Sequence, residues 1–376
     1  MKVGLVVIGG VARAPEHGHI PCLHWLIERL ARRSDVHVFS LYGAPHPDRY
    51  PLHGATVHHI GGRPTRTRGL AAVLREHWRG PFDVFHAFWA NPPGVIAAMA
   101  GALLARPVLL HLAGNELVAL PDIHYGGALT RRGRFWTRLA LRRASTITAA
   151  SEPMLASLRT LGFTGSRVPL GVDLSRWPTR EPRRRSDRAA RLVHVGSLNG
   201  VKDQEVLLEA ARQLTARGVD FRLDIVGADT VNGRLEHLAD ALGLGGRVQF
   251  HGYLPHPRLY PIVGDADLLW MSSRHEAGPV AVLEAAVLGV PTVGTSVGHI
   301  AEWAPDAAVA VPIGDAAALA VETEGLLRDD ARRLTLAREA QRRALACDAD
   351  WTAARFAQLY DALIATAPRA RVNRAA

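Results

Sequence analysis

The sequence predicts an α/β protein built from two doubly wound, parallel-sheet units. Three observations carry that expectation. The chain has 376 residues, more than one ordinary core accommodates, so two domains follow. Short apolar runs alternate with helical patterns from end to end, as parallel strands covered on both faces by helices require. Between two such sets lies PLGVDLSRWPTREPRRRSDR, rich in Pro and Arg and without a period, which places a linker at 173–189.

The first unit, 1–172, opens on KVGLVVI, a buried strand running into the turn at Gly9 and Gly10. MKVGLVVIGGVARA also mimics a short signal peptide with an A-x-A end at Ala12 and Ala14. The strand is preferred because a helical pattern (IPCLHWLIERLARR) and a second strand (VHVFSLY) follow at once. Further strands are TVHHI, FDVFHAF, PVLLHL and STITAA, with helices near 18–33, 67–79, 92–104, 133–143 and 152–161. The second unit, 190–349, has strands RLVHVG, FRLDIVG, RVQFHG, DLLWMS, PTVGT and AAVAV. Its helices lie near 202–217, 232–242, 256–263, 279–289 and 315–328. A last helix, 350–367, shows Phe356, Leu359, Tyr360 and Leu363 at helical spacing, and the tail after it is expected to fray.

Composition excludes several classes. An apolar fraction of 48% and a charged fraction of 21% describe a folded globular chain. Two cysteines, Cys22 and Cys347, cannot build a disulfide framework and fit a reducing cytoplasm. The 18 histidines show no HExxH and no metal-ligand spacing, so no metal site is expected. The longest apolar stretch, VIAAMAGALLARPVLL, is cut by Arg106 and Pro107, and no transmembrane helix is expected. Neither G-x-G-x-x-G nor a P-loop follows a first strand, which counts against nicotinamide, flavin and P-loop chemistry.

Charge is uneven. Residues 1–187 hold 25 basic and 12 acidic side chains, net +13, and residues 188–376 hold 20 and 23, net −3. The runs RGLAAVLREHWRG, RRGRFWTRLALRR and EPRRRSDR read either as solvation by arginine or as a face for an anionic membrane or acidic acceptor. No nucleic-acid partner is expected. Of the 45 basic residues only Lys2 and Lys202 are lysine.

In open α/β sheets ligands bind beyond the carboxyl ends of the strands. SSRHEAGPVAVLEAAVLGVPTVGT, 272–295, is the sharpest such place. A strand leads to Gly278 and Pro279, with Pro279 near the first helical position. Free amides at 278–281, Val280 among them, form an anion site aided by the helix dipole. Glu276 precedes the turn and Glu284 lies within the helix. The pair reads either as a solvated acidic pair or as ligands of a sugar nucleotide. In the second reading Glu284 accepts from a ribose diol and Glu276 stands near the sugar beyond the phosphates.

E-A-G-P-V-A-V-L-E resembles the E-x7-E motif of family 4 glycosyltransferases, retaining enzymes of the GT-B fold. HVGSLNGVKDQEVLLEAARQL, IVGADTVNGRLEHLADALGLGGRVQFHGYLP, PLGVDLSRW, HLAGNELVALPD and WTAARFAQLYDAL resemble further parts of that family, in its order. The resemblance implies two Rossmann-like domains facing across a cleft, the first for the acceptor and the second for a nucleoside diphosphate sugar, with the last helix packing back on the first domain. It implies that Lys202 binds the donor diphosphate, where a compact ammonium reaches between phosphates as a point charge. A surface lysine is the other reading of that residue. The family often has an arginine where this chain has Ser197, so the phosphates rest on Lys202, Ser197, Asn199 and helix amides, or on another arginine that swings in.

His111, expected just after a strand at the start of the acceptor-side loop, approaches the transferred sugar by the same resemblance. Asn115 and Glu116 are candidates for acceptor or sugar contacts. Gly9, Gly10 and Gly18 suit close backbone approach to sugar or diphosphate, or simply tight turning. His251 and Tyr253 are candidates to border the nucleobase. The implied reaction is transfer of a sugar to an acceptor hydroxyl with retained configuration and without a catalytic metal or other cofactor. His111, Glu276 and Lys202 are its expected catalytic groups, and UDP and GDP sugars its expected donors. The acceptor classes that fit are small molecules, saccharides and lipid-linked compounds, with work in the cytoplasm at the inner membrane face. Other readings are a sugar-nucleotide epimerase, a phosphorylase, or a catalytically idle nucleotide-sugar-binding subunit.

Overall fold

The computed structural model describes residues 1–12, 19–43, 46–186 and 188–366. Gly18 lies outside them. Contacts divide the chain into two units. The first comprises Met1–Ala150, Met154–Pro169 and the chain from Ala349 on; the second comprises Ser151–Pro153 and Leu170–Asp348.

In chain order the first unit contains β1 (Lys2–Val7), α1 (Pro21–Ala31), β2 (Asp35–Ser40), β3 (Asp48–Leu52), β4 (Ala55–His59), α2 (Thr65–Arg79), β5 (Val84–Phe88), α3 (Val95–Leu104), β6 (Val108–Leu112), α4 (Arg131–Arg143), β7 (Thr146–Ala149), α5 (Glu152–Thr160) and β8 (Ser166–Arg167). One sheet takes the order β3-β4-β2-β1-β5-β6-β7-β8, parallel except for the edge strand β3. The strand reading of residues 2–8 holds: Val3, Leu5, Val6 and Val7 are fully buried between β2 and β5. β3 was not anticipated, because Pro47, Pro51 and Arg49 hide it. Proline is tolerated at a sheet edge, and His53 and Gly54, both with positive φ (51° and 86°), make the two-residue turn into β4.

The second unit contains β9 (Ala190–Val195), α6 (Gln204–Ala216), β10 (Phe221–Val226), α7 (Arg234–Ala241), β11 (Val248–Phe250), α8 (His256–Asp265), β12 (Leu268–Met271), α9 (Val280–Val287), β13 (Thr292–Thr295), α10 (Gly298–Trp303), β14 (Val309–Val311), α11 (Ala316–Arg328) and α12 (Asp330–Leu345). Its sheet is wholly parallel, in the order β11-β10-β9-β12-β13-β14. That is the doubly wound order whose switch point falls between the first and fourth strands. β9 and β12 pair only at Leu192↔Leu268 and Val193↔Leu269, so their ladder ends before the loops that leave their carboxyl ends. Leu192, Leu208, Ala211, Leu223, Leu268, Trp270 and Val293 are among the fully buried residues of its core.

The stretch expected as a linker is folded into this unit. The Trp177 ring is fully buried and its indole N–H donates to the Glu284 carbonyl at 2.8 Å. Buried Asp173 caps the turn, accepting from Ser175 N at 3.0 Å, Ser175 Oγ at 2.6 Å and Arg176 at 2.7 Å. α10 and α12 were also unanticipated. α12 is arginine-rich, yet Arg333 is buried against Asp330 and the Arg183 carbonyl, at 2.5 and 2.6 Å.

The last helix, α13 (Ala349–Thr366), belongs to the first unit. Phe356 and Tyr360 are fully buried, and Tyr360 Oη lies 2.6 Å from His86 Nδ1. No described helix is long and apolar enough to cross a membrane.

Candidate functional site

The two loops that leave the switch point of the second unit carry the residues singled out in the sequence. After β9 comes Gly196, whose missing side chain leaves room for the Lys202 stem: a Cβ there would sit 3.2 Å from Lys202 Cε. The loop is fixed from below. Buried Gln204 donates to the Ser197 carbonyl at 3.1 Å, and its carbonyl accepts from Asn199 N at 3.3 Å. Gln204 Nε2 also lies 3.1 Å from His194 Nε2, while His194 Nδ1 lies 2.9 Å from the Trp270 carbonyl. A carbonyl only accepts, so His194 carries its proton on Nδ1 and accepts from Gln204 on Nε2. Burial lowers the His194 pKa to about 4, keeping it in that neutral form.

Asn199 holds the next turn, accepting from Lys202 N at its side chain (3.1 Å) and at its carbonyl (3.1 Å). The Lys202 carbonyl accepts from Ser272 Oγ at 2.8 Å, and Arg274 N donates to Val201 O at 2.8 Å. The two loops are thus stitched side by side, which also brings the backbone of an arginine, Arg274, next to the lysine loop. The Lys202 ammonium meets the Glu276 carboxylate at Oε1, which also accepts from Ser273 Oγ at 2.7 Å. Both side chains are about four-fifths buried or more, with 21% and 11% exposure. Lys202 therefore points toward the loop that opens α9, and its charge is already paired there.

α9 starts at Val280, one residue later than expected. Pro279 is the N-cap, not the first helical residue. It has no N–H, so the donors ahead of the helix come from Gly278, Val280 and Ala281, while Val282 N is taken by the Pro279 carbonyl at 3.1 Å. Gly298 closes against this turn: a Cβ there would lie 2.8 Å from Pro279 Cδ. Glu284 is buried (5% exposed) and its Oε1 lies 3.2 Å from His256 Nε2 at the start of α8. His256, which the sequence reading overlooked, sits edge-on to Trp177 at 5.2 Å. The signal available was WP in one passage and LPHP in another, joined only by the fold.

Ser197 is exposed. Tyr253 is 47% exposed, after the positive-φ turn at Gly252. His251 is engaged elsewhere, with Nε2 2.7 Å from Asp224.

In the first unit the expectation for His111 needs correction. It is the fourth residue of β6, not the start of a loop, and it is fully buried. Its ring packs against Phe88 and Phe356 (4.9 and 5.5 Å), Nδ1 lies 2.9 Å from Thr148 Oγ1, and its carbonyl accepts from Trp89 N at 3.0 Å. Burial lowers its pKa to about 3. Strand β6 continues one residue past the histidine because Leu112 still pairs with Ala149 of β7.

Glu116 is also buried, and its carboxylate is occupied by backbone amides. It accepts from Ala90 and Ala113 at 3.3 and 3.2 Å and from Gly114 at 2.9 Å. Burial raises its pKa, and these amides oppose the rise. It ties the loop after β6 to the loop after β5. The Asn115 carbonyl accepts from Gly127 N at 2.7 Å and its side chain is half-buried. Gly10 has φ +84°, and a Cβ there would lie 2.5 Å from Ile20, so the turn itself demands glycine. Gly9 packs under the Tyr42 carbonyl.

Trp89, at the switch point between β1 and β5, has φ +69°, a conformation that costs a bulky residue energy and marks functional sites. Beside it Arg66 donates to Asn91 Oδ1 at 2.7 Å and stacks over Trp136 at 5.0 Å. The sequence reading overlooked this group, although NPPG was a turn signal.

One His/carboxylate grouping was concealed by sequence distance: His37, His58 and Glu76, from β2, β4 and α2. His37 Nδ1 and His58 Nε2 are 2.9 Å apart, and Lys2 Nζ is 3.1 Å from Glu76 Oε1. That ammonium already balances the carboxylate and would repel a dication.

Comparison with known proteins agrees with this architecture. Residues 175–343 match the model of glycosyl transferases group 1, and residues 17–171 match that of the glycosyl transferase 4-like domain. WcaL of Salmonella typhimurium, a protein named for colanic acid biosynthesis, is 29% identical over 200 residues, 50% of this chain and 49% of that protein. The chain thus matches about half the length of that relative. D-inositol 3-phosphate glycosyltransferase of Corynebacterium urealyticum is 32% identical over 45% of this chain and 42% of its own. Among solved structures, sucrose-phosphate synthase of Thermosynechococcus elongatus superposes with TM-score 0.80 over 97% of this chain and 99% of that one, at 20% identity. HepE of Anabaena in complex with UDP-glucose gives 0.74 over 96% and 100%, at 19%. At these identities the structures speak to fold alone. The chain belongs to the group 1, family 4 glycosyltransferases, with the GT-B fold.

Proposed function

We propose that this glycosyltransferase moves a sugar from a nucleoside diphosphate sugar to an acceptor hydroxyl, with retained anomeric configuration and without a catalytic metal. The observation that carries the reading is the meeting of Lys202 and Glu276 at the switch point, in the loop that opens α9. The diphosphate replaces Glu276 as the main partner of the ammonium and takes the amides of Gly278, Val280 and Ala281. Glu284, held by His256, accepts from the ribose hydroxyls. The freed Glu276 turns to the sugar.

In the transfer the acceptor oxygen bonds to the anomeric carbon as the bond from that carbon to the phosphate oxygen breaks. The electron pair stays on the diphosphate, whose oxygen takes the acceptor proton, so both partners approach one face of the sugar. Lys202 and the amides stabilise the charge that develops on the leaving group. Neutral His111 acts from the core, by holding the end of β6 and the Trp89 backbone. HepE's complex with UDP-glucose makes a uridine sugar the first donor to try. The acceptor is a saccharide or lipid-linked compound, and the work is done beside an anionic membrane face.

Two experiments test this. Anomeric coupling constants in the NMR spectrum of the product report retention; an inverted product overturns the mechanism. Transfer in the presence of excess chelator should match transfer without it, whereas loss on chelation and return with a divalent metal would contradict the metal-free reading.

A further inference from the structure

α4 carries arginine at 131, 132, 134, 138, 142 and 143 and no acidic residue. Several exposed helical arginines elsewhere meet a carboxylate three or four residues away, as Arg212 meets Glu209, Arg342 meets Glu339 and Arg328 meets Glu324, while Arg75, Arg258 and Arg338 stand singly without one. Among the described residues none of the six on α4 forms an ion pair; Arg134 donates to the Ala128 carbonyl at 2.8 Å. Arg131, Arg132 and Arg134 stand in or near the first turn, where the helix dipole disfavours cations. Folding gains little from such a distribution.

The face they share is not simply charged. Thr137, Ala140 and Leu141 are the buried side of α4. At about 100° per residue, the opposite side centres on Phe135 with Leu139 beside it. Arg131, Arg138 and Arg142 flank that ridge on one side, and Arg132 and Arg143 on the other. Phe135 is 62% exposed. Leu139 continues into α3, where Ala98, Met99, Ala102 and Leu103 complete a shallow apolar pocket of about 300 Å³ with Arg143 at its rim. Leu103 is 65% exposed.

We propose that the outer face of α3 and α4 docks on an anionic lipid surface. The arginines meet lipid phosphates, and Phe135, Leu139, Met99 and Leu103 enter the headgroup layer. A polyanion such as nucleic acid would use the arginines and leave the apolar ridge in water; an anionic bilayer uses both. The inference rests on the reading that the enzyme works beside an anionic membrane, and it names the surface.

The test is sedimentation of the full chain with vesicles of phosphatidylcholine alone, or of equal parts phosphatidylcholine and phosphatidylglycerol. It is run at about 0.1 M and about 1 M salt, where the Debye lengths are about 10 and about 3 Å. Three variants are compared: Arg131→Gln/Arg138→Gln/Arg142→Gln, Phe135→Ser/Leu103→Ser, and a control, Arg212→Gln/Arg332→Gln/Arg342→Gln, which removes the same charge from other helices. All positions are exposed, and circular dichroism melts check each fold.

The wild type should bind the phosphatidylglycerol vesicles, weakly in high salt. The α4 arginine triple should bind roughly 150-fold more weakly, from about 1 kcal/mol per arginine near the surface, and the control much as wild type. The apolar double should lose vesicle binding while its retention on duplex DNA is unchanged from wild type. Wild type that ignores anionic vesicles overturns both the docking face and the membrane reading. Vesicle binding that the control weakens as much as the α4 triple keeps the membrane and overturns this face. Vesicle binding indifferent to Phe135→Ser/Leu103→Ser makes the face a plain polyanion surface and also overturns the proposal.

Discussion

The ammonium of Lys202 rests against the carboxylate of Glu276, across the loops that leave β9 and β12. In the proposed reaction a pair so placed holds a flexible lysine ready for the donor diphosphate, since a dianionic group can displace one carboxylate. Removing Lys202 should leave the fold intact, because the ammonium is part-exposed, and should cost transfer roughly 100- to 1,000-fold in kcat, the usual loss for one preorganised charge-stabilising group. Steady-state kinetics of Lys202→Ala check this.

Glu284→Gln keeps a partner for His256 but replaces a charged acceptor by a neutral one. Hydrogen bonds to charged groups are worth about 1.5–3 kcal/mol, so donor KM should rise by roughly 10-fold or more while kcat changes less. The measurement is a donor titration at saturating acceptor; an unchanged KM would remove the ribose from this residue.

Ser197 stands where the family often has an arginine, and Arg274 is stitched beside the lysine loop through Val201. If Arg274 supplies the second cation, Arg274→Ala should weaken nucleoside diphosphate binding by roughly 10-fold, the scale of one charge-assisted bond. Ser197→Arg in that background should restore it. Calorimetric titration of both variants decides the matter, and a double variant as weak as Arg274→Ala assigns the compensation elsewhere.

Stability should fall in acid. His111 and His194 are fully buried, with pKa values lowered by burial to about 3 and about 4 from 6.5. Between pH 6.5 and about 4 the unfolded chain binds protons that the folded chain refuses. Stability is therefore complete above the unfolded value and is lost as pH drops, by up to about 1.4 kcal/mol per pH unit for each histidine. Urea unfolding at several pH values measures the slope. His194→Asn keeps a donor for the Trp270 carbonyl and should flatten it.

Much of the fold was legible because buried parallel strands read as continuous apolar runs, and E-x7-E marked the α9 loop directly. Other features depend on distant residues meeting. The pairing of Lys202 with Glu276 spans 74 positions, and the grip of His256 on Glu284 joins α8 to α9. His111 reads as a strand-end residue, but its burial is set by Phe88 and Phe356 from other elements. Pro51 argued against β3 until the edge position made it harmless. α12 was hidden because its buried Arg333 breaks the rule that arginine faces water.

The most direct test of the central claim is calorimetric titration of UDP, GDP, ADP and dTDP into the wild type and Lys202→Ala. The account predicts that at least one binds the wild type and binds the variant at least about 10-fold more weakly, as loss of a charge-assisted contact requires. Equal affinity in the two proteins would contradict it, since the diphosphate would then rest somewhere other than Lys202.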